Sequence, residues 1–404
     1  MSGASRSKND LLTIYAARAL RGFGDGFAII ILPVYLATIG LTAPQIGLVA
    51  TASLLGTALM TLAIGMVAPR FELRSLLLAG AALAVITGLA FPAIESFAFV
   101  LAVSFIGSIN PSGGDLGPLV PLEHAKLTQE AADAERTRVF ARYSLIGALA
   151  TAAGSLAAAA PDFLTAHGVA PVTALKAMFM GYGALGALAA FLYSRLPRDH
   201  THVPQSTKVA LGPSRGIVYK LAALFSVDAF AGGFIVQSLL ALWLFQRFDL
   251  SLSAASLFFF WSSTLSAFSF PVAAWLSKRI GLINTMVYTH IPSSLCLIAA
   301  AFAPNLLVAL TLLLVRSALS QMDVPTRSSY VMAVVTPPER AAAASVTAVP
   351  RSLASSVSPA IAGVMLASAV PALPLIVCGV LKIGYDLALL AMFRHTRPPE
   401  ERRD

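Results

Sequence analysis

Charge is what this chain has least of. Aspartate, glutamate, lysine and arginine make up 12% of its 404 residues, against about 25% in a soluble chain. A protein so composed cannot cover a water-facing surface, which excludes an ordinary soluble enzyme. Cysteine is nearly absent. Cys296 and Cys378 lie in separate apolar runs, so neither a disulfide framework nor a thiolate metal site is expected, and both read as packing residues. No Gly-x-x-x-x-Gly-Lys-Ser/Thr phosphate loop occurs, which excludes ATP hydrolysis through that device. No nucleophile–base pair and no metal-ligand cluster is spaced for chemistry, so no catalytic residue, metal or cofactor is expected and a membrane enzyme is disfavoured. The polar stretches are too short for a receptor domain. Residues 1–9 are polar and no small-residue cleavage site follows the first apolar run, so that run is expected to stay in place.

What is abundant is apolar sequence, 57% of the chain, with a mean hydropathy of +0.79. This describes an integral membrane protein. Runs of about 18 or more apolar residues mark spans. Twelve are expected, over 11–38, 44–68, 75–94, 97–122, 138–160, 171–196, 217–245, 252–277, 281–303, 305–335, 341–369 and 371–394. The third and ninth are short. With the N-terminus inside, 18 of the 28 basic residues fall in cytoplasmic segments, and only Lys176 and Arg247 fall opposite. By the positive-inside rule both termini are expected in the cytoplasm. The same rule accounts for the net charge of +9, so nucleic acid is not an expected partner.

Two spans carry unusual interruptions. Gly107 to His124 holds four glycines, three prolines and Asp115 inside a membrane-length run. An interior glycine costs a helix about 1 kcal/mol and an interior proline about 3, and backbone groups freed in lipid must find protein or a wet cavity. Leu319 to Val331 echoes it, with Asp323 just ahead of Pro325. Broken helices at corresponding places in two halves point to a transport pathway. The polar stretch 197–216 divides the chain, and its His200 and His202 read as a solvated linker. The halves repeat weakly: Leu41 precedes Leu250, Arg70 precedes Arg279, Arg142 precedes Arg351 and Gly154 precedes Gly363, each by 209 residues. The repeat implies two homologous bundles about a pseudo-twofold axis along the membrane normal.

At Gly65-Met-Val-Ala-Pro-Arg-Phe-Glu-Leu-Arg74 and Ala274-Trp-Leu-Ser-Lys-Arg-Ile-Gly281 the chain resembles the major facilitator superfamily, whose loop signature is Gly-x-Leu-Ala-Asp-Arg-x-Gly-Arg-Arg. Pro69 and Lys278 stand where the family has a gating aspartate, and Glu72 where it has glycine. The family's usual charge lock is therefore expected to be replaced by other charges. Gly147 and Gly154 are only faintly like the family's antiporter signature. The resemblance implies an all-α membrane protein of twelve helices in two six-helix bundles, 1–196 and 217–404, joined by the cytoplasmic linker 197–216. It also implies a central cavity, alternating access and a monomer.

An ionisable residue at bilayer depth is a functional candidate. Asp25, flanked by Gly24 and Gly26, is the expected proton or cation site, and a structural bridge to Arg21 is the competing reading. Asp115 with Arg142 and Asp323 with Arg351 are expected as charge pairs, either a gate between halves or staples within them. Arg327, four residues after Asp323, competes with Arg351. Asn110, Arg316, Gln321, Arg327 and Asp228 are candidates for the substrate cavity, and Arg316 for meeting an anion. Lys382 and Asp386 are expected to pair with each other, and Lys220 to snorkel. His290 is expected to pack, and Glu123 and His124 to sit at the cytoplasmic rim. Trp243, Trp261 and Trp275 read as belt or lipid contacts. Phe23, Phe27, Tyr35, Phe230 and Phe234 could line a cavity for an amphipathic solute, or pack. The expected function is secondary transport of a small molecule across a prokaryotic-type inner membrane, by proton-linked antiport and export. Uptake or exchange of a small organic anion is the alternative, and a metal or metalloid held by Asp25 and Asn110 a third.

Overall fold

Lipid offers backbone groups no partner, so apolar runs must close their own hydrogen bonds as helices. The computed structural model describes residues 3–93, 96–112, 117, 119–130, 136–198 and 211–394, and among them there are helices and no strand. The first half holds α1 (Gly3–Thr38), α2 (Ala43–Val67), α3 (Leu73–Ala93), α4 (Phe97–Ile106), α5 (Leu119–Glu130), α6 (Arg136–Ala157), α7 (Ala160–Ala166) and α8 (Pro171–Ser194). The second holds α9 (Arg215–Gly233), α10 (Gln237–Phe248), α11 (Leu252–Ile280), α12 (Leu282–Ala301), α13 (Leu306–Ser320), α14 (Asp323–Val334), α15 (Arg340–Leu366) and α16 (Leu373–Phe393). Ten of the described helical runs are long and apolar enough to cross a membrane. The other two expected spans are α4 with α5, parted by the interruption after Gly107, and α15, which is 27 residues long but diluted by Arg351, five serines and two prolines.

Local chemistry sets several boundaries. The Gln45 side chain accepts from the Thr42 backbone N–H at 2.9 Å and opens α2. Ser251 accepts from the Ala254 N–H at the start of α11, and Asn305 from the Val308 N–H at the start of α13. Such caps contribute about 1 kcal/mol each. The interruptions behave as their residues dictate. After α4 the Asn110 side chain accepts from the Ser112 N–H at 2.9 Å, the Ser108 N–H turns to the Thr87 hydroxyl, and the Pro111 carbonyl accepts from Ser238 across the halves. The tenth span breaks between α13 and α14. A third break, at 234–236 in the seventh span, was not expected.

Buried apolar side chains form three clusters. One is shared by both halves and runs through Leu32, Leu36, Val49, Phe179, Leu240, Trp243, Phe259 and Leu366, all toward the face opposite the termini. The other two lie at the terminal face and stay apart: one joins Ile14, Leu77, Tyr143 and Tyr193, the other Val218, Met286, Tyr330 and Phe393. The halves are therefore sealed together at one face and separate at the other. The seam is α2 against α15 and α6 against α11. Gly47 meets Gly363 there, and a Cβ on Gly47 would stand 2.9 Å from the Gly363 Cα, a spacing only small residues permit. Trp243, expected at a lipid-facing belt, is 1% exposed inside the shared cluster, while Trp261 and Trp275 are exposed.

Polar contacts reinforce the sealed face. The Asp162 carboxylate of α7 accepts from the Ser253 N–H at 2.8 Å and its hydroxyl at 2.7 Å, so an acid of one half sits on the start of α11 in the other. Thr51 of α2 accepts from the Ala360 N–H of α15 at 2.9 Å. A cleft of about 730 Å³ lies beside this latch, lined in part by Thr38, Leu175, Leu242 and Phe245. On the terminal face Glu339 fastens the chain entering α9 to the turn before α15. It accepts from the Ser214 hydroxyl at 2.6 Å, from the Gly212 N–H at 2.5 Å and from the Thr336 hydroxyl.

Two outcomes follow. In Asp162→Ala the sealed face loosens, so a cysteine placed at Leu242 should react several-fold faster with a membrane-impermeant maleimide than in the parent; equal rates would show that the latch bears no load. The hydroxyl and amide donors hold the Glu339 carboxyl down to about 2, from an ordinary 4.5. Its folded-state value is depressed, so its contribution to stability is complete above about 4.5 and is lost as pH falls toward 2. Unfolding midpoints measured across that window should fall less steeply in Glu339→Gln than in the parent.

Candidate functional site

Arg18, Arg21 and Asp25 recur on one face of α1 at spacings of three and four residues, which places all three inside the first bundle. Arg21 does not bridge to Asp25. It pairs with Glu123 of α5, which also accepts from the Tyr143 hydroxyl and from the Tyr193 hydroxyl at 2.5 Å. Glu123 is fully buried and is not a rim residue as expected. Arg18 lies over the Tyr143 ring, 5.3 Å from its centre, and His124 packs edge-on against that ring. With Arg21 so engaged, Asp25 accepts, among the described residues, only from the Tyr182 hydroxyl, at 3.3 Å, and Ser108 lies 3.0 Å from that hydroxyl. Asp25 is half-buried and, among the described residues, has no ion pair.

The second bundle treats its equivalent acid differently. Asp228 and Tyr385 follow Asp25 and Tyr182 by the same 203 residues, six fewer than the offset of the other repeated positions, and they lie on the first and last spans of their half as Asp25 and Tyr182 do, so the two pairs take corresponding places. Asp228 accepts from Lys382 at 2.6 Å and from Arg327 at 3.1 Å. Arg327 also bridges to Asp323, four residues earlier, at 3.0 Å. His290 lies 3.1 Å from Asp386 through Nδ1 and 3.3 Å from Lys382 through Nε2, which fits the tautomer with its proton on Nδ1. Helices α9, α12, α14 and α16 thus meet in one buried network. It overturns the expected Lys382–Asp386 pair, because Lys382 reaches Asp228, and it makes His290 more than a packing residue.

The expected gate pairs fare unevenly. Asp323 takes Arg327 and not Arg351, since the residue four positions along the same helix is already within reach. Arg351, half-buried on α15, has no acceptor among the described residues, and its Nε is buried without a partner. Asp115 lies outside the described residues, and Arg142 is exposed on α6. Arg316 is half-buried beside Cys296 and Cys378 with no carboxylate partner among the described residues. Gln321 ends α13, half-buried, and Asn110 is spent on its turn. Of the aromatic set, Phe27, Tyr35 and Phe234 belong to the sealed core, and Tyr35 donates to the Phe91 carbonyl at 2.7 Å. They pack the closed face and do not line an open cavity. Lys220 is exposed.

The sequence model of the Major Facilitator Superfamily matches residues 14–321 and 221–404. The chain belongs to the Major Facilitator Superfamily. The uncharacterized membrane protein YJR124C of Saccharomyces cerevisiae is 23% identical over 424 residues, covering 96% of this chain and 94% of that protein. A bacterial homologue of the human lysosomal transporter Spinster, in an inward-facing and occupied conformation, superposes with a TM-score of 0.73 at 18% identity, over 96% of this chain and 97% of its own. The nucleoside transporter NupG gives 0.73 at 16% identity over 96% and 100%, and a D-xylose-proton symporter 0.72 at 16% over 97% and 98%. The superfamily fold accounts for one sealed and one open face: the two bundles are the moving bodies of an alternating-access transporter.

The network makes a thermodynamic prediction. Asp228→Asn or Lys382→Gln alone strands a buried partner and should destabilise by about 3–5 kcal/mol. The double substitution should cost clearly less than the two single costs added. Simple additivity in a double-mutant cycle of unfolding midpoints would mean that the pair carries no coupling.

Proposed function

We propose that this superfamily transporter is proton-coupled and that Asp25 is its proton-exchanging group. One observation carries the reading. Of the two corresponding carboxyls, Asp228 is tied to two cations while Asp25, among the described residues, accepts from the Tyr182 hydroxyl alone and has no ion pair. Asp25 can take or lose a proton without breaking an ion pair; Asp228 cannot. A group of that kind at bilayer depth, exposed first to one side and then to the other, couples proton movement to the rocking of the halves. The Tyr182 hydroxyl, itself 3.0 Å from Ser108, positions its carboxyl.

The basic residues Arg70, Arg74, Arg195, Arg198, Arg340 and Arg394 cluster at the terminal face, which supports placing that face in the cytoplasm of an inner membrane. In that orientation the conformation is inward-facing. Exchange, in which a proton taken up from outside drives solute out, is the mode we propose for this arrangement.

The coupling can be tested without knowing the solute. A protonation change at Asp25 shifts the balance between inward and outward states, so labelling of a cysteine at Leu242 from the outer side should change several-fold between pH 6 and pH 8. The change should vanish in Asp25→Asn. A pH dependence that survives that substitution would remove Asp25 from the role.

A further inference from the structure

We infer that the cleft on the sealed face is a binding site for a small amphipathic cation, and that a cation held there keeps the transporter closed on that face. The inference rests on the alternating movement of the two bundles and not on Asp25.

The cleft measures about 730 Å³, within the range of about 300–1,000 Å³ that small-molecule sites occupy. Both bundles build it. Thr38 of α1, Asp162 of α7 and Leu175 of α8 line it from the first, and Leu242 and Phe245 of α10 with Leu252 of α11 from the second. Leu175, Leu242 and Leu252 are buried and Phe245 is half-buried, so the wall is apolar with one aromatic ring. Such a wall suits the apolar part of a ligand but does not select its charge.

The polar lining selects it. Two carboxylates, Asp162 and Asp249, line the cleft, and no lysine, arginine or histidine does. Basic groups of this face are engaged elsewhere: Arg247 lies over the Phe248 ring, 5.3 Å from its centre, and the His167 ring meets the Phe163 carbonyl at 2.8 Å. Among the described residues neither Asp162 nor Asp249 has an ion pair. Asp162 commits one oxygen only, since the Ser253 N–H and hydroxyl both reach Oδ2. Asp249 is exposed and closes α10 in the left-handed region at φ 51°. The helix end that it follows adds partial negative charge of its own. A quaternary ammonium is attracted both by such carboxylates and by an aromatic ring like that of Phe245.

The cleft has this form only while the bundles touch on the sealed face, because its walls belong to opposite bundles. A ligand that needs both walls binds the closed face better than the open one, and shifts the balance toward it by that difference in affinity. It acts from the side opposite the termini and need not be carried across.

The test uses the purified full-length protein in detergent. Benzyltrimethylammonium is the cation, and benzenesulfonate is an anion of similar size. The cation should raise the unfolding temperature, since a ligand of the folded state stabilises it, and the anion should not. Asp249→Asn keeps a residue that tolerates the left-handed backbone and should raise the half-saturating concentration about two- to fivefold, as befits a solvated carboxylate. Thr38→Trp, at an exposed position, fills the cleft and should abolish the shift; Ala37→Trp, also exposed and lining, serves if the unliganded melting curve shows Thr38→Trp to be unfolded. Closure is read separately, at a cysteine in place of Leu366, which is buried in the shared cluster and does not line the cleft. Benzyltrimethylammonium should slow its labelling by an impermeant maleimide several-fold. No shift with the cation, an equal shift with benzenesulfonate, a shift unchanged in Asp249→Asn or surviving the tryptophan, or unaltered labelling at Leu366 would overturn the inference. Both effects should persist in Asp25→Asn, so loss of the proton reading leaves this one standing.

Discussion

A charge held in hydrocarbon must find its opposite inside the protein, and the whole interior of this transporter is arranged around that demand. The first bundle meets it with Glu123, which gathers Arg21 and two tyrosine hydroxyls from α6 and α8. The second meets it with Asp228, which gathers Lys382 from α16 and Arg327 from α14. Each acid ties an inner helix to the helices behind it. Each bundle is thereby fastened internally by buried ion pairs that cannot be parted cheaply, while the contact between bundles is largely apolar and small-residue, with a few neutral or single-acid hydrogen bonds at the sealed face. That division suits a machine whose parts must stay rigid and whose joint must move.

The two halves share an ancestry of sequence but not of charge. Counterpart positions hold Asp25 and Asp228, and Tyr182 and Tyr385. Their surroundings differ because α16 offers Lys382 where α8, 203 residues earlier, offers Phe179. Lys382, together with Arg327 from α14, thus separates a carboxyl fixed as an ion-pair partner from one left with a tyrosine hydroxyl. A duplicated scaffold can in this way keep its packing while its two halves take different chemical duties.

Much of the fold was legible in the sequence because its signals are long. Span-length apolar runs, a dominant basic asymmetry and a repeat offset each sum over many residues. Even the interruption after Gly107 was readable, since proline and glycine declare themselves. The break at 234–236 carries a single glycine pair, Gly232-Gly233, which helices also use for packing, so it stayed hidden. The site was harder. Local spacing correctly brought Asp323 within reach of Arg327, but it also suggested Arg21 with Asp25 and Lys382 with Asp386, and both of those lost to partners on other helices. Ion pairing at depth is settled by which helix lies alongside, and spacing along one helix does not contain that. Glu123 was misjudged for the same reason: near the end of an apolar run it reads as rim, and only the approach of Tyr143 and Tyr193 buries it. The recurrence of Asp–Tyr at 203 residues was present in the sequence and would have singled out Tyr182.

The contact of Gly47 with Gly363 has a mechanical consequence. Two helices that touch backbone to backbone have no interlocking side chains at that point, so turning one against the other requires no rotamer to unlatch. They also cannot draw nearer, because the atoms are already at van der Waals limits. The joint therefore behaves as a fulcrum of fixed height. The bundles can tilt about it, but they cannot telescope into one another.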